Sequence, residues 1–229
     1  MGFSLRRFLL ARLSLREAGV AHDDWKRLRF SYAQFGEDMI AEALLPEQDG
    51  FYVEVGAFHP VQFSNTYLFY RKGWRGIAID PNQRFAEAFH RRRPGDITVQ
   101  CAVDETEGMA AFDIMSELGE LDCLHSTNKS SSAEKPLRSI QVQCRRLGSI
   151  LDEHLPKGRQ IDFLSVDCEH HDLQVLRSND WTKYRPRVIA VEDWESEATS
   201  VICRFLAERN YKLVITARVT RFFTRQEIS

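Results

Sequence analysis

Apolar and polar positions in this chain come in blocks. Five short apolar runs each end at, or just before, a carboxylate: FYVEV with Glu54, GIAID with Asp80, ITVQCAVD with Asp104, DFLSVD with Asp167 and VIAVE with Glu192. Runs of this kind predict parallel strands buried on both faces. Asp80 follows Glu54 by 26 positions, Asp104 follows Asp80 by 24, and Glu192 follows Asp167 by 25, the length of one strand-plus-helix unit. The pattern predicts strands at about 51–55, 75–80 and 97–103, with helices at about 63–72, 82–92 and 196–208. An earlier helix starts near Gly36 and turns Met39, Ile40, Ala43 and Leu44 inward, and Pro46 to Gly50 break the chain after it. The step from Asp104 to Asp167 is 63, so an insertion lies between them, at about 105–145. Within it GMAAFDI and SIQVQCRRL read as strands, and STNKSSSAEKP as an exposed loop. The insertion reads either as a flap or recognition element at the crevice or as a plain surface excursion. After Asn210, YKLVITARVTRFF reads as two strands broken near Ala217, a closing hairpin on a mostly parallel sheet.

In a doubly wound sheet the carboxyl ends of the strands line one crevice, and ligands bind there. Here that edge gathers negative charge. It suits hydroxyl and ammonium donors and repels phosphate. The first turn, Glu54-Val55-Gly56-Ala57-Phe58-His59-Pro60, has one glycine and a carboxylate where a dinucleotide fold has G-x-G-x-x-G. The missing glycine loop argues against a nicotinamide-dependent oxidoreductase. No GxxxxGK[ST] occurs, which excludes a nucleoside-triphosphate loop. Glu54 can accept from an ammonium, Gly56 lets backbone approach closely, and Asp80 can take two ribose hydroxyls. S-adenosyl-L-methionine has this profile. The bland alternative for any one strand-end carboxylate is a helix cap.

Composition narrows the class. At 229 residues, 43% hydrophobic and 28% charged, the chain has the size and composition of one globular domain with a small appendage. A net charge of -2 gives no argument for nucleic-acid binding. Five scattered cysteines without a CxxC pair favour reduced thiols in a cytoplasmic protein over a disulfide framework or zinc site. Residues 1–30 read as a basic helical extension, with Arg6, Arg7, Arg12 and Arg16. Docking on the main domain is one reading of it, and contact with an anionic membrane surface the other. The remainder, 31–229, reads as a single domain. RRRP at 91–94 reads as a solvated helix end, and Trp74 and Trp181 as packing residues.

The strings FYVEVGAFHP, SNTYLFYRKGWRGIAIDPN, RRLGSILDEHLP and IDFLSVDCEHHDLQVLRSNDW resemble the FkbM family of S-adenosylmethionine-dependent methyltransferases, from about Ser31 to Glu192. The resemblance implies the α/β class I methyltransferase fold, a Rossmann-like, doubly wound seven-stranded sheet with its last strand antiparallel. It implies O-methylation of a sugar or similar hydroxyl compound in glycan or polysaccharide biosynthesis. By position, Glu54, Gly56 and Asp80 match the family's cofactor turn. Ser64, Asn65 and Thr66 match its S-N-T segment, and Gln34, Glu37 and Asp38 its Q-x-x-E-D-like segment. Asp167, Glu169 and His171 match its D-x-E-G-H-E-like segment. Two departures stand out: Glu54 replaces the usual Asp, and His170 stands where the family has Gly, which implies local strain. They motivate the alternative of a non-catalytic cofactor- or glycan-binding member of the same fold.

A hydroxyl nucleophile needs a base. His171 is the candidate, with Asp167 and Glu169 orienting it or binding hydroxyls. The spacing of these acids calls for no metal. Trp194, just past the fifth apolar run, can stack on a sugar ring.

Overall fold

A computed structural model describes residues 28–45, 49–116, 122–124 and 135–226. The unit Ser31–Ser229 is described by itself. The helix expected within 1–30 lies outside the described residues except for 28–30, and most of the loop STNKSSSAEKP and of the break after Leu45 also lie outside them.

The strands are β1 (Phe51–Val55), β2 (Arg75–Ile79), β3 (Ile97–Val99), β4 (Ala102–Val103), β5 (Gly108–Ile114) and β6 (Cys123–Leu124). They continue with β7 (Arg138–Arg145), β8 (Phe163–Val166), β9 (Val188–Glu192), β10 (Tyr211–Ala217) and β11 (Thr220–Arg225). The helices are α1 (Glu37–Leu44), α2 (Tyr67–Arg71), α3 (Gln83–Arg92), α4 (Leu147–His154), α5 (Asp172–Arg177) and α6 (Val201–Ala207).

A seven-stranded sheet runs in the order β10-β11-β9-β8-β1-β2-β3. Only β11 opposes the others, pairing antiparallel with both β9 and β10. This is the doubly wound α/β sheet with a C-terminal antiparallel hairpin that the sequence pattern predicts, and it is the class I methyltransferase arrangement. Every residue of β1 is buried, as expected for a strand covered on both faces. Along it the faces alternate. Val53 and Val55 pack with Leu147, Ile150, Val175 and Leu206, while Tyr52 packs with Ala41, Phe69 and Trp74 on the other side. The chain runs from β1 outward to β3, then returns to β8 on the opposite flank of β1. The sequence order therefore reverses beside β1, and the crevice opens there.

Four local expectations change. The run at 97–103 is two strands. β3 pairs with β2, the chain bends at Cys101, and β4 joins a second sheet ordered β4-β7-β5-β6. The insertion is therefore a small sheet of its own, with Ala102, Phe112, Ile114, Val142 and Cys144 as its core. The helix expected from 63 begins only at Tyr67, because Phe63 is left-handed at φ 57° and the Ser64 hydroxyl accepts from Tyr67 N at 3.1 Å. The helix expected at 196–208 starts at Val201, capped by Ser200, whose side chain accepts from Cys203 N at 2.9 Å. Ala43 of α1 is exposed, and Glu37 and Asp38 are buried instead. Asp38 earns that place by accepting from Ser31 Oγ, Tyr32 N and Met39 N, which ties down the 31–38 turn.

Candidate active site

A cavity of about 440 Å³ opens at the carboxyl ends of β1, β2, β8 and β9. The second sheet contributes Phe112, Asp122, Cys123 and Leu124 to its wall, and the β10–β11 turn contributes Arg218 and Val219. Gln34, Glu54, Gly56, Asn65, Asp80, Asp167, Glu169 and His171 all line it. Ser64 does not. It is buried one layer behind Glu54, to which its hydroxyl donates at 3.3 Å.

The β1 turn is built around a buried ion pair. Glu54 accepts from Thr66 Oγ1 at 2.6 Å and lies 3.6 Å from Arg93 Nη1. Arg91, Arg92 and Pro94 are exposed, as expected of a solvated helix end, but Arg93 between them is 0% exposed, which corrects that reading for this residue. Its guanidinium donates to Asp96 through Nε at 2.7 Å and to Thr66 Oγ1 at 2.8 Å. It also packs 5.1, 5.2 and 4.8 Å from the ring centres of Tyr52, Tyr70 and Phe89. Burial pushes the Glu54 carboxyl up, and Arg93 and Thr66 pull it back. Both Glu54 oxygens thus have protein partners. The Arg93 signal was hidden because Glu54 and Thr66 are distant in sequence, and RRR before a proline looks like any helix end.

Gly56 sits where β1 passes β8. Its φ is +74°, and a Cβ added there would lie 1.7 Å from the Asp167 carbonyl oxygen. No other residue type fits that crossing. Asp80, at the end of β2, accepts from Phe58 N at 2.9 Å and Asn82 N at 2.8 Å. Burial raises its carboxyl to about 7, against those two hydrogen bonds and with the charges of Asp122 and Glu54 adding to it. Each oxygen keeps a lone pair for a ligand. Asn65 donates to Ser165 Oγ across the cleft at 3.0 Å. Phe58 meets Phe85 edge-on at 4.7 Å, forming an apolar wall near Asp80.

The β8 side is a field of carboxylates. Asp167 lies exposed at the cavity wall. Desolvation and then the charges of Glu192, Asp172 and Glu169 push it well up. Glu169 is raised to about 7 by burial, Glu192 and Asp122. Asp172 is raised to about 8, chiefly by burial, while accepting from Cys168 N at 2.9 Å. Burial also raises Glu192, and its Oε2 is buried without a hydrogen-bond partner. Among the described residues, no three His, Cys, Asp or Glu side chains converge as metal ligands.

Glu169 and His170 are both left-handed, at φ 49° and 72°, so the strain implied where the family has glycine is present. His171 caps α5. Its Nε2 is enclosed 3.3 Å from Asp104 Oδ1 without forming a hydrogen bond. Asp104 closes one of the five apolar runs, and nothing in the sequence pairs it with His171. Fold closure alone brings β4 and α5 together.

A family model described as the methyltransferase FkbM domain matches residues 54–213. No curated protein sequence matches the chain. Among solved structures, a methyltransferase from Geobacter sulfurreducens is 11% identical over 98% of this chain and 90% of its own, with a TM-score of 0.45. An FkbM methyltransferase from Methylobacillus flagellatus KT is 11% identical over 88% of this chain and 50% of its own, with a TM-score of 0.46. The O-methyltransferase TomG from Streptomyces achromogenes, in complex with SAM, is 14% identical over 92% of this chain and 83% of its own, with a TM-score of 0.41.

Proposed function

The chain belongs to the FkbM methyltransferase family, and from that premise we propose that it O-methylates a sugar hydroxyl in glycan or polysaccharide biosynthesis, with S-adenosylmethionine as methyl donor. The observation that carries the cofactor half is Asp80. A buried carboxylate with two spare lone pairs to accept ribose hydroxyls, beside the Gly56 turn and the Phe58–Phe85 wall, is the surround a ribose and a flat base need. When bound, the cofactor supplies a methyl group on a sulfonium, electrophilic at carbon.

The residues assigned to it are Gln34, Gly56, Asn65 and Asp80, with Glu54 and Ser64 shaping the turn from behind. Glu54 acts mainly by fixing that turn and by its charge, since its oxygens are already engaged. Its remaining field favours an ammonium. The unpaired carboxylates Asp167 and Glu169 favour a cationic centre and accept from acceptor hydroxyls.

With the donor held by Gln34, Gly56, Asn65 and Asp80, its methyl would be the electrophile for an acceptor hydroxyl lying against Asp167 and Glu169. The hydroxyl proton goes to His171 Nδ1. Asp104 beside Nε2 stabilises the imidazolium that forms. The protein's larger contribution is alignment of the two reactants. The five unpaired cysteines suit a reducing, cytoplasmic setting.

The test is transfer of tritium from methyl-labelled S-adenosylmethionine to a panel of glycosides, with and without His171→Ala. Label recovered in an alkali-stable methyl ether, and reduced at least tenfold in the variant, is the expected result. Label appearing on an amine or a carboxylate, or unchanged transfer by the variant, would overturn the O-methylation or the base assignment respectively.

A further inference from the structure

Among the described tryptophans Trp194 is the exposed one, its indole beside the Glu192 carboxylate. Trp74 is 3% exposed and packs on Phe69 at 4.9 Å. Trp181 packs edge-on against Phe205 and Tyr211 and donates its N–H to Leu176 O at 2.8 Å. Trp194 is 61% exposed, yet it borders the cavity. It is not on a loose loop. The preceding Asp193 is buried, holds Arg221 and Ser200 through its carboxylate, and donates its N–H to Val219 O at 2.8 Å. The following Glu195 N donates back to Asp193 Oδ1 at 3.1 Å. The indole is therefore presented to solvent by a fixed turn. Among the described residues the only ring against it is His170, 5.9 Å away and tilted by 49°. An exposed, pre-set aromatic face at a cavity mouth suits a partner with an apolar face and a polar rim.

The charge beside it selects among such partners. Four of the cavity's carboxylates are answered within the protein. Glu54 has Arg93, Asp80 has two backbone N–H groups, Asp122 accepts from Asn82 Nδ2 and Met115 N, and Glu37 accepts from Phe35 N. Glu169 and Glu192 form no ion pair with any Lys or Arg among the described residues; Glu192 has only the Trp194 indole and the His170 imidazole beside it, and its Oε2 is buried without a hydrogen-bond partner. Both flank the His170–Trp194 pair in sequence, and both line the cavity. Carboxylates without a Lys or Arg partner in a confined site repel an anionic ligand and reward a cationic one.

We propose that Trp194, Glu169 and Glu192 form an acceptor subsite for an amino sugar, whose ring face lies on the indole and whose ammonium meets the two carboxylates. The assignment rests on the sugar-methyltransferase reading and narrows it to a charge class. Uronates, sugar phosphates and other anionic acceptors are disfavoured. His170 has a part in it too, because its left-handed backbone sets its ring against Trp194 at the mouth.

The experiment uses the protein saturated with S-adenosylhomocysteine and three probes: methyl glucosaminide, methyl glucoside and methyl glucuronide. Saturation-transfer NMR reads weak binding to each. The expected order is glucosaminide, then glucoside, with no glucuronide signal. Trp194→Ala should weaken the glucosaminide at least tenfold, and Trp194→Phe should restore part of it. Glu192→Gln should level glucosaminide with glucoside. Affinity for S-adenosylhomocysteine should stay within twofold in all three variants. Homocysteine-cofactor binding together with a preference for glucuronide, no saccharide signal at all, or undiminished binding by Trp194→Ala would overturn the subsite alone. Failure of the wild type to bind S-adenosylhomocysteine would instead remove the reading beneath it.

Discussion

Arg93 and Glu54 show what a buried charge requires of its neighbours. Removing Arg93 alone leaves both Glu54 and Asp96 without their cation in a site shut off from water. Arg93→Met should cost about 3–5 kcal/mol, and adding Glu54→Gln should recover part of that loss. Urea unfolding of the two single variants and the double variant measures it, and strictly additive losses would contradict the pairing. The Glu54 charge was legible in the sequence as the end of an apolar run, but its partner was not. The two lie 39 positions apart, and only the folded register brings them together. Asp80 was legible in place and in charge, while the two backbone N–H groups that hold its carboxylate were not. Asp80→Asn keeps the shape and removes the charge. It should lower affinity for S-adenosylhomocysteine by roughly 10- to 100-fold, the worth of a charge-assisted hydrogen bond. Calorimetry giving wild-type affinity would sink the ribose role.

The elements were legible where the apolar runs are long and uniform, because a strand buried on both faces leaves few other readings. They were misread where local hydrogen bonding overrides the pattern. Ser64 and the left-handed Phe63 delay α2, and the bend at Cys101 sends β4 to the other sheet. The 169–170 turn carries strain that a sequence can only suggest. His170→Gly removes a left-handed non-glycine residue, so it should stabilise the fold by about 1 kcal/mol, with a rise in Tm of a few degrees. A fall in Tm would mean that the His170–Trp194 contact outweighs the backbone strain.

Taken whole, the molecule places a crowd of raised carboxyls around one cavity, and this gives its stability a pH dependence with a definite sign. Asp80 and Glu169 stand at about 7 and Asp172 at about 8, all above the ordinary carboxylate range near 4. These groups hold protons more tightly when folded than when unfolded, so protonation favours the fold. Their contribution is present at low pH and is lost as pH climbs from about 4 through about 8. The ligand-free protein should therefore melt at a higher temperature at pH 6 than at pH 8. A flat or inverted trend in differential scanning calorimetry would contradict the electrostatic picture. The clustering of acids at one edge was legible from the repeat of strand-end carboxylates. The split of that edge into a partnered β1–β2 half and an unpartnered β8–β9 half was not, because it depends on Arg93, on Asp122 of the second sheet and on backbone N–H groups. The central claim is that this cavity takes the methyl donor. Isothermal titration of S-adenosylhomocysteine into the wild-type chain at neutral pH tests it most directly. Saturable one-site binding in the micromolar range is the predicted result, and the absence of any saturable heat would contradict the account.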